Sequence, residues 1–235
     1  MWLIFELLYS ANCIRPKVGE TVKERLRRLY FDHKEYSYRD SHFIMYLDAD
    51  CNNGDIRMVY SSQPYKFPCG GSELPSQVVT NTEHIVPRAF FSSQLPMLSD
   101  VHHLYSAPAK ANNVRGNLPF AEFPYSECKT WCDYLSCDIT VPSNPDLYSC
   151  INKGKTGWMP RVEDRGMISR SIFYFMTMYD MVDISKVGDI KLLKQWNRKY
   201  PPSEFEKLRN DKLNKTQGNR NPYIDDYTLV DQAFP

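Results

Sequence analysis

Three short clusters hold the residues best suited to chemistry: Glu83-His84, Asp100-x-His102-His103 and Asn112-Asn113-x-Arg115-Gly116-Asn117. A carboxylate beside an imidazole, with an amide on a later element, is a donor set for a hard-metal hydrolytic site. Glutamate and asparagine offer oxygen ligands, which favour magnesium, calcium or manganese over zinc. A histidine not needed as a ligand is then available as a general base, because its unperturbed pKa is about 6.5. The blander alternative is a surface glutamate beside a half-buried histidine.

Geometry sets a condition on that site. Neighbours on a regular strand point to opposite faces, so the strand must end or bulge where Glu83 and His84 are to share one small site. Pro87, three residues on, makes an ending credible because proline cannot donate to a sheet ladder. The same divergence disfavours a shared metal at His102 and His103. One of that pair is expected to pack inward while the other faces substrate or solvent.

The elements that would position these residues read as mixed α and β. Residues 20–31 carry apolar groups at 22, 26, 29 and 30, the spacing of an amphipathic helix. Residues 42–47 and 56–61 are rich in β-branched and aromatic types and flank Asn52-Asn53-Gly54-Asp55, a hairpin turn signal. A third strand is expected over 77–85 and a fourth over 100–105, with a loop or short helix between them. Pro108 suits the first helical position, and a short helix over 109–115 stops at Gly116-Asn117. Asn117 is expected to cap that helix. Residues 125–160 read as an irregular excursion rich in Cys, Pro, Ser and Asn. Beyond them come an apolar helix over 168–181, an amphipathic one over 190–200 and a third opened by the capping box Ser203-x-x-Glu206. The fold class expected is α+β: a strand-strand-helix catalytic unit packed by helices from both ends of one domain, residues 1–235.

Composition narrows the remaining classes. The chain has 235 residues, 42% hydrophobic and 24% charged, with a net charge of +1, which excludes a disordered chain and a histone-like polycation. No apolar run reaches the roughly 18 residues that span a bilayer. Trp2 to Leu8 is either a clipped signal segment or a first core helix. Seven cysteines, four of them within residues 128–150, favour disulfides and an oxidising compartment over zinc or buried thiols. Residues 186–220 hold ten Lys and Arg against four acids; this is either a phosphate-tracking surface or a solvated face.

Thr82-Glu83-His84-Ile85-Val86-Pro87, Asp100-Val101-His102-His103-Leu104 and Asn112-x-x-Arg115-Gly116-Asn117-x-x-Phe120 resemble the endonuclease I family of secreted or periplasmic nucleases, in the ββα-metal (His-Me finger) superfamily. The likeness continues through Asp164-Arg165-Gly166-Met167-Ile168-Ser169-Arg170, Trp196-Asn197-x-x-Tyr200-Pro201 and Gln217-Gly218-Asn219-x-Asn221-Pro222. It implies a metal-dependent endonuclease cutting DNA, with RNA left open, at little sequence preference. Glu83 and Asn112 become ligands of one divalent cation, Mg²⁺ foremost, with Mn²⁺ or Ca²⁺ able to occupy the site. His84 becomes the general base. The family's usual insertion bearing a phosphate-contacting arginine has no counterpart here, since residues 90–99 contain no Arg or Lys. Arg88 and Lys110 are the positional substitutes, and Arg115 is open between phosphate contact and a buried ion pair. A monomer exported from the cytoplasm is expected, with no membrane partner. The alternatives are a non-catalytic nucleic-acid-binding or interaction protein retaining the nuclease fold, and a phosphodiesterase for another substrate.

Overall fold

A computed structural model describes residues 15–235; Cys13 and the Trp2–Leu8 segment lie outside them. Helix α1 (Val22–Tyr30) opens with a complete capping box in which the Thr21 hydroxyl and the Glu24 carboxylate satisfy each other's backbone amides. It packs on α4 (Arg165–Met178), a helix buried at every position. Helix α5 (Ile190–Lys199) lies on α4 as well, and α6 (Glu204–Thr216) starts at the Ser203/Glu206 capping box. Short helices α7 (Pro222–Asp225) and α8 (Leu229–Ala233) close the chain. Those helices, Ile85 just past a strand end, and the sheet residues Tyr105, Ala107 and Trp158 share one apolar core.

Two features let α4 be buried all round despite its arginines. Arg165 and Arg170 are each paired, to Glu122 at 2.8 Å and to Glu206 at 2.7 Å, so no guanidinium is left desolvated and alone. Gly166 lets the helix meet the end of α5 backbone to backbone: a Cβ there would lie 2.2 Å from the Tyr200 carbonyl oxygen.

The β structure of the described residues falls into three antiparallel sheets. Strands β1 (Cys51–Asn52), β2 (Asp55–Ile56) and β3 (Tyr65–Lys66) form a small meander. Strands β4 (Thr80–His84) and β5 (Leu104–Pro108) pair with Glu83 opposite Tyr105 and His84 opposite Leu104. Helix α3 (Ala109–Arg115) follows directly. Strands β6 (Cys128–Asp133), β7 (Ser136–Asp138), β8 (Ser149–Asn152) and β9 (Trp158–Met159) make a sheet in the order β7-β6-β8-β9.

Several expectations are corrected. Residues 42–47 are not a strand: helix α2 (Tyr38–Ile44) runs into a π-helical turn, Met45–Ala49. The Ser37 hydroxyl, which accepts from the Asp40 amide at 3.1 Å, starts that helix, and burial of Met45, Tyr46 and Leu47 overrides their β preference. The hairpin turn itself forms, with Asn53 at φ 52° and Gly54 at φ 80°, but only two residues pair on each side. The fourth strand begins later than expected, because the Asp100 carboxylate caps the His102 amide and winds residues 101–103 into a 3-10 turn. Pro108 ends β5 and sits just before α3 rather than inside it. The 125–160 segment is an ordered sheet, not an irregular excursion. Disulfides Cys128–Cys150, joining β6 to β8, and Cys132–Cys137, joining β6 to β7, hold strands too short to be stable alone. A third, Cys51–Cys69, closes the meander.

Candidate active site

Strand β4 ends at His84, and Pro87 follows three residues later in extended backbone before a 3-10 turn over Arg88–Phe91. The ending lets neighbouring side chains serve one place: Glu83, His84 and Asn112 all line a cleft of about 400 Å³, together with Tyr38, Arg88 and Asn117.

Each of the three is held by one side and left open on the other. Glu83, 2% exposed, accepts from the Tyr60 hydroxyl at 2.8 Å and from Arg115 Nη1 at 2.9 Å, both at Oε1. Its Oε2 accepts no hydrogen bond among the described residues. Burial pushes the Glu83 carboxyl above the usual range, against the pull of Arg115 and Tyr60. Asn112, on the second turn of α3, donates both amide hydrogens, to Asn81 Oδ1 at 2.7 Å and to the Thr82 carbonyl at 3.1 Å. A carbonyl can only accept, so the amide orientation is settled and Oδ1 is the end left over. His84 Nε2 lies 3.3 Å from the Leu98 carbonyl. By the same reasoning Nε2 carries the proton of the neutral ring, and Nδ1 keeps a bare lone pair. Burial holds the imidazole well below its ordinary pKa, helped by His103, so the ring is neutral near pH 7.

Other residues fall differently from expectation. Arg115, 1% exposed, is the buried ion pair: besides Glu83 it donates to the His84 and Ile85 carbonyls at 3.1 and 3.0 Å and lies over the Phe120 ring. It also borders the cleft, and its Nε finds no hydrogen-bond partner among the described residues. Arg88 is exposed at the cleft and has no carboxylate partner among the described residues. Lys110 does not line that cleft; it borders an adjoining concavity with Val78, Val79 and Leu135, and Asn113 belongs to both. Gly116, not Asn117, terminates α3. His102 and His103 are both buried, because a turn rather than a strand carries them.

Tyr60 and Asn81 escaped sequence reasoning. Tyr60 sits at φ 70°, a left-handed conformation uncommon for a tyrosine. It is held there by its amide, which donates to Asp164 Oδ2 at 2.8 Å. Asn81 sits two residues before Glu83, and that nearness was the available signal. The basic 186–220 segment is largely spent on the protein itself. Arg209 pairs with buried Asp50, Lys207 with Glu204, and Lys194 and Lys212 donate to backbone carbonyls.

A buried carboxylate, an oriented amide and a neutral imidazole around one cleft are the equipment of a hydrolase. The pattern of the family described as Endonuclease I matches residues 18–227, and the chain belongs to that family; it is an endonuclease. Its relatives include an extracellular ribonuclease of Bacillus subtilis (strain 168), 25% identical over 93% of this chain and 76% of the relative. An extracellular deoxyribonuclease of Aeromonas hydrophila is 24% identical over 73% of this chain and 85% of the relative. An extracellular endonuclease of Pseudomonas fluorescens biotype A is 27% identical over 71% and 81%. The three disulfides fit the oxidising, extracytoplasmic compartment in which such nucleases act. No helix among the described residues is long and apolar enough to cross a membrane.

Proposed function

We propose that the chain is a ββα-metal nuclease, acting as a monomer through one domain, that hydrolyses DNA and RNA phosphodiesters with little sequence preference. The observation that carries this reading is the pair of uncommitted hard oxygens, Glu83 Oε2 and Asn112 Oδ1, on residues that line the same cleft as His84 with its bare Nδ1. Two such oxygens fit a divalent cation that keeps several waters, Mg²⁺ before Mn²⁺ or Ca²⁺. When bound, the cation supplies positive charge against the phosphate and the departing oxygen. His84 Nδ1 takes a proton from the attacking water as the new P–O bond forms. The P–O3′ bond breaks and the departing oxygen takes a proton from solvent water, leaving a 5′ phosphate and a 3′ hydroxyl. Arg88 at the cleft and Lys110 beside it contribute cationic charge to phosphates on either side of the cut. Tyr60 and Arg115 do not touch substrate; they fix the Glu83 carboxylate.

Names of relatives that specify ribonuclease or deoxyribonuclease support both substrates. Cleavage of plasmid, single-stranded DNA, RNA and a small phosphodiester, with Mg²⁺ and with a chelator, tests the reading. Degradation of the three polymers only with Mg²⁺ is expected. Binding without cleavage under every metal would overturn it in favour of a non-catalytic protein that kept the fold, and cleavage of the small ester alone would assign another substrate.

A further inference from the structure

His103 stands at the far end of β5 from α3, fully buried and outside the lining of the cleft. Its Nε2 lies 2.6 Å from the Met97 carbonyl, while His84 Nε2 lies 3.3 Å from the next carbonyl, Leu98. Two imidazoles therefore take consecutive carbonyls of a single 3-10 turn, Met97–Ser99. Their rings meet edge to face with centroids 5.7 Å apart. Phe91 lies against both rings, and Phe175 of α4 closes on His103 at 4.8 Å. The turn that orients the base is thus tied through His103 to α4, the helix buried at every position.

Packing alone gives no reason for an imidazole at this place. His103 Nδ1 is buried without a partner, and a phenylalanine would fill such a space without orphaning a nitrogen. The hydrogen bond to Met97 supplies the reason. Burial keeps the ring below its ordinary pKa, and a neutral ring has one N–H, which the Met97 carbonyl draws to Nε2.

We propose that His103 is a positioning residue for the general base: by holding the Met97 carbonyl it fixes the Met97–Ser99 turn, keeps the Leu98 carbonyl on His84 Nε2, and so reserves His84 Nδ1 for the attacking water. The proposal rests on His84 being the base. It adds a residue that acts on the reaction through a backbone turn, without contact with metal or substrate.

Two variants separate the hydrogen bond from the bulk of the ring. In His103→Gln the side-chain amide nitrogen reaches the place of Nε2 and still donates to Met97; in His103→Asn it reaches only the place of Nδ1. Expected for His103→Asn is a fall in kcat of about 10–100-fold, the scale of a slightly misplaced catalytic group, with KM and metal affinity unchanged. His103→Gln should recover most of that loss. Nitrogen-15 spectra of the imidazoles in the unmodified protein should place the protons of both His84 and His103 on Nε2, and in His103→Asn the hydrogen-bonded Nε2 signal of His84 should weaken or shift. Equal kcat losses in the two variants would overturn the proposal, as would wild-type turnover in His103→Asn. A proton on His103 Nδ1 in the unmodified protein would overturn it with no variant at all. Failure of the underlying reading looks different: His84→Ala would cleave at the wild-type rate, whatever stands at position 103.

Discussion

Glu83 and Asp100 are both buried carboxylates in motifs bordering the same strand pair, yet they are built oppositely. Asp100 accepts four hydrogen bonds: from the His102 amide and Gln217 Nε2 at Oδ1, and from the Tyr174 and Tyr179 hydroxyls at Oδ2. Burial alone would raise its pKa, but His33, His102, His103 and Gln217 together hold it down to about 2. Glu83 has two donors on one oxygen and a pKa pushed the other way. A carboxylate with every lone pair occupied stiffens the fold. One anchored by half, with the other half facing a cleft, remains able to bind something that is not protein.

That contrast is sharpened first at the reaction itself. His84→Ala should lower cleavage by about 10²–10⁴-fold, the usual contribution of a positioned general base, with metal affinity by calorimetry nearly intact. Glu83→Gln should act through the metal instead, weakening its affinity by about 10–100-fold or more, with part of the activity restored by excess Mn²⁺. If the two substitutions are indistinguishable by calorimetry, the division of roles at the cleft is wrong.

Asp100→Asn should do the reverse. The new amide hydrogens face donors, so a loss of about 2–4 kcal/mol of stability is expected, read from urea unfolding, while the folded fraction keeps kcat within a few-fold. A large kcat loss at unchanged stability would erase the distinction between the two carboxylates.

The pH dependence of stability tests the saturated side further. Burial lowers His102 to about 4, so between its unfolded value, about 6.5, and 4 the unfolded chain binds the extra proton. Stability contributed by neutral His102 is therefore complete above about pH 6.5 and is lost as pH falls toward 4, by roughly 3 kcal/mol at most. Asp100, depressed from 3.8 to about 2, contributes stability above 3.8 that is lost as pH falls through 2. His102→Gln should flatten the unfolding free energy between pH 6.5 and 4. An unchanged slope would show that other groups set it.

The smallest effects concern cations, where the same distinction between occupied and available groups applies. Arg88→Ala and Lys110→Ala should each reduce the salt dependence of DNA binding by a slope of about 0.7–0.9, one phosphate contact apiece. Lys207→Glu and Lys212→Ala should leave the slope unchanged, because those side chains are engaged with Glu204 and with the Asp48 and Cys51 carbonyls. A change at Lys207 and none at Arg88 would return the basic segment to the substrate path.

Much of this was legible in the sequence, unevenly. The amphipathic α1, α3 with its stop at Gly116, and α4 to α6 follow from local periodicity and capping, and the structure bears them out, with α4 starting three residues earlier than its apolar run. Pro87 correctly signalled that β4 ends near Glu83-His84. Residues 42–47 misled because aromatic and β-branched content outweighed the Ser37 cap, and the 125–160 sheet was hidden because its pairing depends on cysteines far apart in the chain. Tyr60 was beyond reach: nothing local shows that its hydroxyl meets Glu83, 23 residues on. Arg115 could be narrowed to two roles, and the ion pair is the one its burial against Glu83 displays.

The contact at Gly166 has a consequence for how such a chain can diverge. With no room for a Cβ beside the Tyr200 carbonyl, and with Arg170 donating to that same oxygen at 2.8 Å, the segments around 164–170 and 196–200 are fitted to one another as a lock to its plate. A lineage cannot drift at one and keep the other. Substitution at 166 demands that the end of α5 withdraw, which takes the Tyr200 oxygen away from Arg170 as well. Descendants are therefore expected to inherit both segments together or to replace both, even though neither lines the cleft where the chemistry is done.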